Sequence, residues 1–243
     1  MLTRIVFASL ISLVATQFSF AHNVWIDKRQ GELQVLFGHG ERLEPYDAAC
    51  VKDAQGFDSK GGVVPVAIVR HNDKATLVPK GNPSVITVIF DAGYRVKTTD
   101  GKKKIPRSQA VGKYQVIEAF KNVKCIKGFL APGRAWSKIV GQHLEIVPQK
   151  DPMTIRPGEE LPIKVLLEGK PLEGAVIATG GDHASDKKNS LKTDNNGLAS
   201  VKVETTGLQI ISAHHKVSLK GDPDADFLYL FSTMTFDADQ GSR

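Results

Sequence analysis

Apolar and polar residues alternate along most of the chain in short, β-branched runs. Residues 33–37, 63–69, 84–90 and 114–120 each read as a strand, because side chains on a strand point to opposite faces with a period of two. Gly81-Asn82-Pro83 and Asp100-Gly101 supply turn chemistry between them. Between Arg42 and Gln55 the pattern changes. Leu43, Tyr46, Ala49 and Cys50 fall at helical spacing, which predicts a short helix or an ordered loop near residues 43–55.

A second series starts at Leu144. Residues 144–152 form a strand stopped by Pro148 and Pro152, and 155–167 form one entered through Pro157-Gly158. A hairpin at 168–174 leads into a strand at 175–179. After a turn at 192–197, further strands follow at 198–203, 208–219 and 227–236. Short strands at regular spacing with turn residues between them predict an all-β chain built from two antiparallel sandwich-like domains, residues 22–143 and 144–243.

The first 21 residues stand apart from this rhythm. Arg4 is followed by an uncharged stretch, residues 5–20, and then by Ser19-Phe20-Ala21, with small residues where a signal peptidase reads. The apolar run is short and mixed with Ser, Thr and Gln, unlike a membrane span. Residues 1–21 are therefore expected to be a cleaved signal peptide, the protein to be periplasmic, and the mature chain to begin with His22.

Charge and composition narrow the picture further. The chain has 243 residues, a formal net charge of +6 and 7% aromatic residues. Its lysines are spread out, and the run Lys102-Lys103-Lys104 reads as a solvated turn. Without an arginine-rich helix or interleaved aromatics, nucleic acid is not an expected partner. The two cysteines, Cys50 and Cys125, in an oxidising compartment read most simply as a disulfide, with soft metal ligands as the rival reading.

Candidate chemistry centres on histidine. Cleavage after Ala21 would leave His22 with a free amine beside its imidazole, two nitrogens able to chelate a late transition metal. His39 lies between Gly38 and Gly40, which lets the backbone bring an imidazole close to another element. Glu41 and Glu44 are near enough to orient such an imidazole. His214 and His215 are adjacent in a strand, so they point to opposite faces, and His214 is the favoured ligand of the two. His71, His143 and His183 read as surface residues, and the acidic run Asp222, Asp224, Asp226 as a turn. No nucleophile elbow, HExxH, phosphate loop or dinucleotide fingerprint is present, so no enzyme is expected.

Several stretches resemble known modules. GKPLEGAVI at 169–177, TDNNGLASVKV at 193–203 and GLQIISA at 207–213 resemble the transthyretin-like or carboxypeptidase-regulatory-like modules of bacterial envelope proteins. AHNVWID at 21–27, VLFGHGERLEPYD at 35–47, GQHLEIVPQKDP at 141–152, PGEELPIKVLLEGKPLEGA at 157–175 and Ala213-His214 together resemble the periplasmic nickel- and cobalt-uptake accessory proteins found beside energy-coupling-factor-type transporters. That resemblance implies a protein that binds Ni(II), with Co(II) or Cu(II) as alternatives, and supplies it to the membrane components of an uptake transporter. It implies ligands at His22 and His39, with His214 or His215 beside them. Two rival readings are a copper enzyme with a histidine brace and an envelope β-module that binds no metal.

Overall fold

The computed structural model describes residues 22–39, 42–180 and 191–238. The expected signal peptide, Glu41 and His183 therefore lie outside the described residues. The N-terminal half contains β1 (Asn23–Arg29), β2 (Glu32–His39), β3 (Arg42–Leu43), β4 (Val51–Phe57), β5 (Val63–Arg70) and β6 (Ala75–Pro79). It continues with β7 (Val85–Thr98), β8 (Gly101–Lys103) and β9 (Val116–Phe129). The C-terminal half contains β10 (Leu144–Pro148), β11 (Glu160–Leu167), β12 (Lys170–Pro171), β13 (Val176–Thr179) and β14 (Leu191–Lys192). It ends with β15 (Leu198–Lys202), β16 (Gly207–Ser218) and β17 (Phe227–Ala238). The all-β expectation holds, and the sheets form a sandwich-like arrangement.

Two strands that the alternating pattern does not announce, β1 and β6, show how the sheets are covered. In β1, Val24, Trp25 and Ile26 are consecutive and all buried. Val24 and Ile26 enter one core with Val35, Leu77, Val88, Phe90 and Ile126, while Trp25 turns the other way onto Leu36 and Ile210. A strand covered on both faces has no polar face and so no period of two. Ala75, Thr76 and Leu77 of β6 are buried for the same reason. Gln30 and Gly31, both with positive φ, close the tight β1–β2 hairpin.

The larger sheet runs in the order β1-β2-β6-β5-β4-β7-β9-β17-β16-β13-β14, with β3 on β2 and β8 on β7. Its pairs are antiparallel except β9 with β17, which is parallel. That pairing carries one sheet across residues 143 and 144, where the sequence divides into two series. The sheet also curls, so that β1 lies on the face of β9 and β17. Gly128 permits this approach, since a Cβ there would sit 3.3 Å from Cβ of Ile26. The smaller sheet, β10-β11-β12 with β15 on β11, covers the opposite face of β9, β17 and β16. Leu144, Ile146, Leu161, Ile163, Val165, Val201, Ile211, Met234 and Phe236 fill the core between them. Each such side chain contributes roughly 1.5–3 kcal/mol when fully buried.

One local expectation is narrowed and another is corrected. Residues 43–55 hold one 3-10 turn, Ala48–Cys50, capped by Asp47, whose carboxylate accepts the Ala49 N–H at 2.9 Å. From Val51 the chain is strand. The helical spacing arises because Tyr46 packs against the core from a loop while Leu43 stays exposed. The expected Cys50–Cys125 disulfide is absent, and both thiols are free. Val51 pairs with Phe90 of β7, and Cys125 of β9 pairs with Ile89 on the other side of β7. A whole strand separates the two cysteines. Two strand spacings come to about 9–10 Å, beyond the Cα separation a disulfide spans. They also serve different cores, since Cys50 packs with the N-terminal cluster and the Cys125 thiol accepts backbone N–H groups at Leu144 and His143.

Candidate metal centre

Strand register brings the first candidates together. Asn23 pairs with Gly38 and Gly38 in turn with Leu43, so His22 is carried to the level of His39 at one end of three adjacent strands. The two imidazole centroids are 4.5 Å apart, with planes inclined by 44°. Gly38 makes the third strand possible, because a Cβ there would lie 2.1 Å from the Arg42 carbonyl oxygen. The Glu44 N–H donates to the Phe37 carbonyl at 2.8 Å, and its carboxylate reaches back to Nε2 of His22 at 2.9 Å.

An aromatic bed supports this corner. The His22 ring stacks on Phe37 with centroids 4.8 Å apart and planes 18° apart. Phe37 in turn lies 6.0 Å from both Tyr46 and Phe90, and Tyr46 meets Phe90 edge-on at 5.3 Å. The Tyr46 hydroxyl donates to the Val35 carbonyl and accepts the Ala75 N–H, both at 2.8 Å. Burial pushes its phenol pKa well up, so it stays a neutral donor.

Lys124 closes the corner from below. It is 4% exposed. Its ammonium donates to the His22 carbonyl at 2.7 Å and stands 4.3 Å from the Phe231 ring centroid. Burial, with the Arg95 guanidinium as a further cause, lowers its pKa to about 7.

The remaining candidates fall elsewhere. Lys124, Phe231 and His214 occupy one register row across β9, β17 and β16, which puts His214 on the face of the sheet that β1 covers, two strands from Lys124. Its ring is exposed and lies 6.2 Å from that of Phe231. Partial desolvation, and then the neighbouring His215, lower its pKa. His215 shares the parity of Ile211 and Ala213 and faces the smaller sheet, on the far side from His22. His71 meets Thr76 at 3.2 Å, and exposed His143 meets Glu168 at 2.6 Å. The acidic run is used for local stitching. Asp222 accepts the Asp224 N–H, Asp224 the Ser108 N–H, and Asp226 the Ala119 N–H together with the Arg107 guanidinium.

Among the described residues no three His, Cys, Asp or Glu side chains stand as a ready coordination shell. The corner gathers two imidazoles and a carboxylate, and the amine of His22 exists only once the bond to Ala21 is cut. Sequence reasoning missed Phe37, Tyr46 and Lys124 as parts of this corner. The one available signal is in β9, where Lys124 and Lys127, three residues apart, must point to opposite faces of a strand covered on both.

A family model described as "Domain of unknown function (DUF4198)" matches residues 19–217. No curated protein is similar enough to match. Among solved structures, the "D0-D1 domain of Intimin" aligns over 89% of this chain and 98% of its own, at 15% identity and a TM-score of 0.21.

Proposed function

The chain belongs to the DUF4198 family, and for this member we propose a periplasmic protein that captures a transition-metal ion, Ni(II) first, through its mature N-terminus. The amine and Nδ1 of His22 close a six-membered chelate ring with the ion, and His39 adds a third nitrogen. The observation that carries the reading is the contact of His22 Nε2 with Glu44. A carboxylate on Nε2 keeps the proton there, which leaves the Nδ1 lone pair on the side of the amine. Three nitrogen donors suit nickel, cobalt, copper and zinc, whereas calcium and magnesium ask for oxygen. Delivery to the membrane components of an uptake transporter rests on the resemblance of residues 35–47 and 141–152 to the nickel- and cobalt-uptake accessory proteins.

Calorimetric titration of the protein starting at His22 with Ni(II), Co(II), Cu(II) and Zn(II) tests the proposal, against a control carrying one extra residue before His22. The expected result is one tight site that the extra residue abolishes. Binding indifferent to the extra residue, or no binding, would sink it. Copper far ahead of nickel, with peroxide-dependent oxidation of a polysaccharide, would favour the histidine-brace enzyme instead.

A further inference from the structure

We infer that Lys124 is a positioning residue for the mature N-terminus, fixing the His22 carbonyl so that the amine and imidazole converge on one ion. This inference rests on the metal-capture reading above. The β1–β2 ladder begins at Asn23, so His22 lies just outside it. A terminal residue without a ladder partner frays, and a two-nitrogen chelate requires the torsions of that residue to be set. Lys124 supplies the restraint. Its ammonium lies 2.7 Å from the His22 carbonyl oxygen, and no described carboxylate pairs with it. Holding that oxygen fixes rotation about the His22 Cα–C bond, which carries the amine and Cβ with it. Phe231, 4.3 Å beneath, keeps the lysine from swinging to solvent, and Phe37 and Glu44 fix the ring from the other side. The restraints hold both ends of one residue, its carbonyl and its ring.

The position of the lysine is specific to this face. Ile126 and Gly128 share its parity and pack beneath Val24 and Ile26, so on β9 the positions under β1 are apolar except at the level of His22. A methionine would fill the same volume and keep the contact with Phe231 while losing the donor.

The test uses Lys124→Met and Lys124→Gln in the protein starting at His22, with Lys121→Met as the control. Lys121 is on the same strand, paired with Asp91 at 3.0 Å, and its variant makes the same side-chain change away from His22. NMR relaxation of the metal-free protein reads the Asn23 amide and the His22 imidazole carbons. Order parameters of about 0.85 in the parent should fall toward about 0.6 in the Lys124 variants and hold in the control. Nickel affinity should fall about 10–100-fold, as for other groups that orient metal ligands, and the visible absorption of the nickel-loaded protein should shift. If His22 and Asn23 stay ordered in both folded Lys124 variants, the inference is overturned, whatever the metal result. If they loosen while the parent shows no amine-dependent metal binding, the anchoring stands and the metal-capture reading falls.

Discussion

Lys124 and Lys127 are three residues apart on β9, both almost wholly buried, and the protein uses them in opposite ways. Lys127 faces the smaller sheet and meets Glu145 at 2.5 Å, with side-chain exposures of 2% and 1%. The Glu145 carboxylate also accepts the N–H groups of Val140, Gly141 and Gln142, and Lys127 donates to the Lys138 carbonyl at 3.2 Å. Charge is balanced there, and the backbone between the 3-10 turn Arg134–Ser137 and β10 is held by one carboxylate. Lys124 faces the N-terminal hairpin, has a single carbonyl and an aromatic ring, and lacks an acidic partner among the described residues. A neutralised, multiply bonded pair specifies packing. A cation satisfied by one carbonyl specifies where that carbonyl is.

The largest effect should come from breaking the balanced side. Glu145→Ala strips buried Lys127 of its counter-charge, leaving it only the Lys138 carbonyl, and removes the acceptor of three N–H groups, which should cost about 3–5 kcal/mol and lower the melting temperature by roughly 6–20 °C. Adding Lys127→Met should fail to restore it, because the orphaned N–H groups remain. Full recovery in the double variant would show that the ion pair alone matters there. Calorimetric melting of the single and double variants decides.

Next in size is the hairpin that presents His39. Gly38→Ala drives a Cβ into the Arg42 carbonyl at a backbone φ of 155° and should cost about 1–3 kcal/mol. Its sharper signature is loss of nickel affinity, since β3 and Glu44 must move away from His22. Calorimetric titration beside a melt separates the two effects.

A smaller effect concerns pH. The Ala119 N–H and then the Arg107 guanidinium hold the Asp226 carboxyl below the usual carboxylate range, and Ser108 does the same for Asp224. Both are depressed in the folded state, so the unfolded chain binds protons first. Their stabilisation is complete at neutral pH and is lost as pH falls through the carboxylate range toward the folded values. Asp226→Asn should flatten the melting temperature between about pH 5 and about pH 3 relative to the parent. An unchanged slope would assign acid lability to other groups.

The smallest effect is a null one. With both cysteines free, a thiol reductant should leave the melting temperature unchanged, and a thiol reagent should titrate two groups in denaturant. Burial pushes the Cys125 thiol up to about 11, so it should react slowly in the native protein at neutral pH. A drop in melting temperature with reductant would mean a disulfide forms after all.

Much of the fold was legible because half-covered strands write their covering into a period of two. Residues 63–69 and 198–203 read correctly for that reason, and the turn at Pro157-Gly158 marks its boundary. Strands β1 and β6 did not, since cover on both faces removes the polar half of the pattern. In the corner, His22, His39 and Glu44 carried a chemical signal in residue type and in neighbouring glycine or cleavage residues. Phe37 and Tyr46 carried none beyond core patterning, and His214 looked equivalent to His215 until register separated their faces.

Local sequence was enough for the strand-rich class and for the turn positions, because these depend on neighbours along the chain. It took the folded sheet to show that β17 joins β9 in parallel, that a strand stands between Cys50 and Cys125, and that a buried lysine meets the His22 carbonyl. The strand pairing and the lysine contact join residues about a hundred positions apart, and the strand between the cysteines is placed by the same sheet. They are fixed by register and by which face each strand covers, and no local pattern records either.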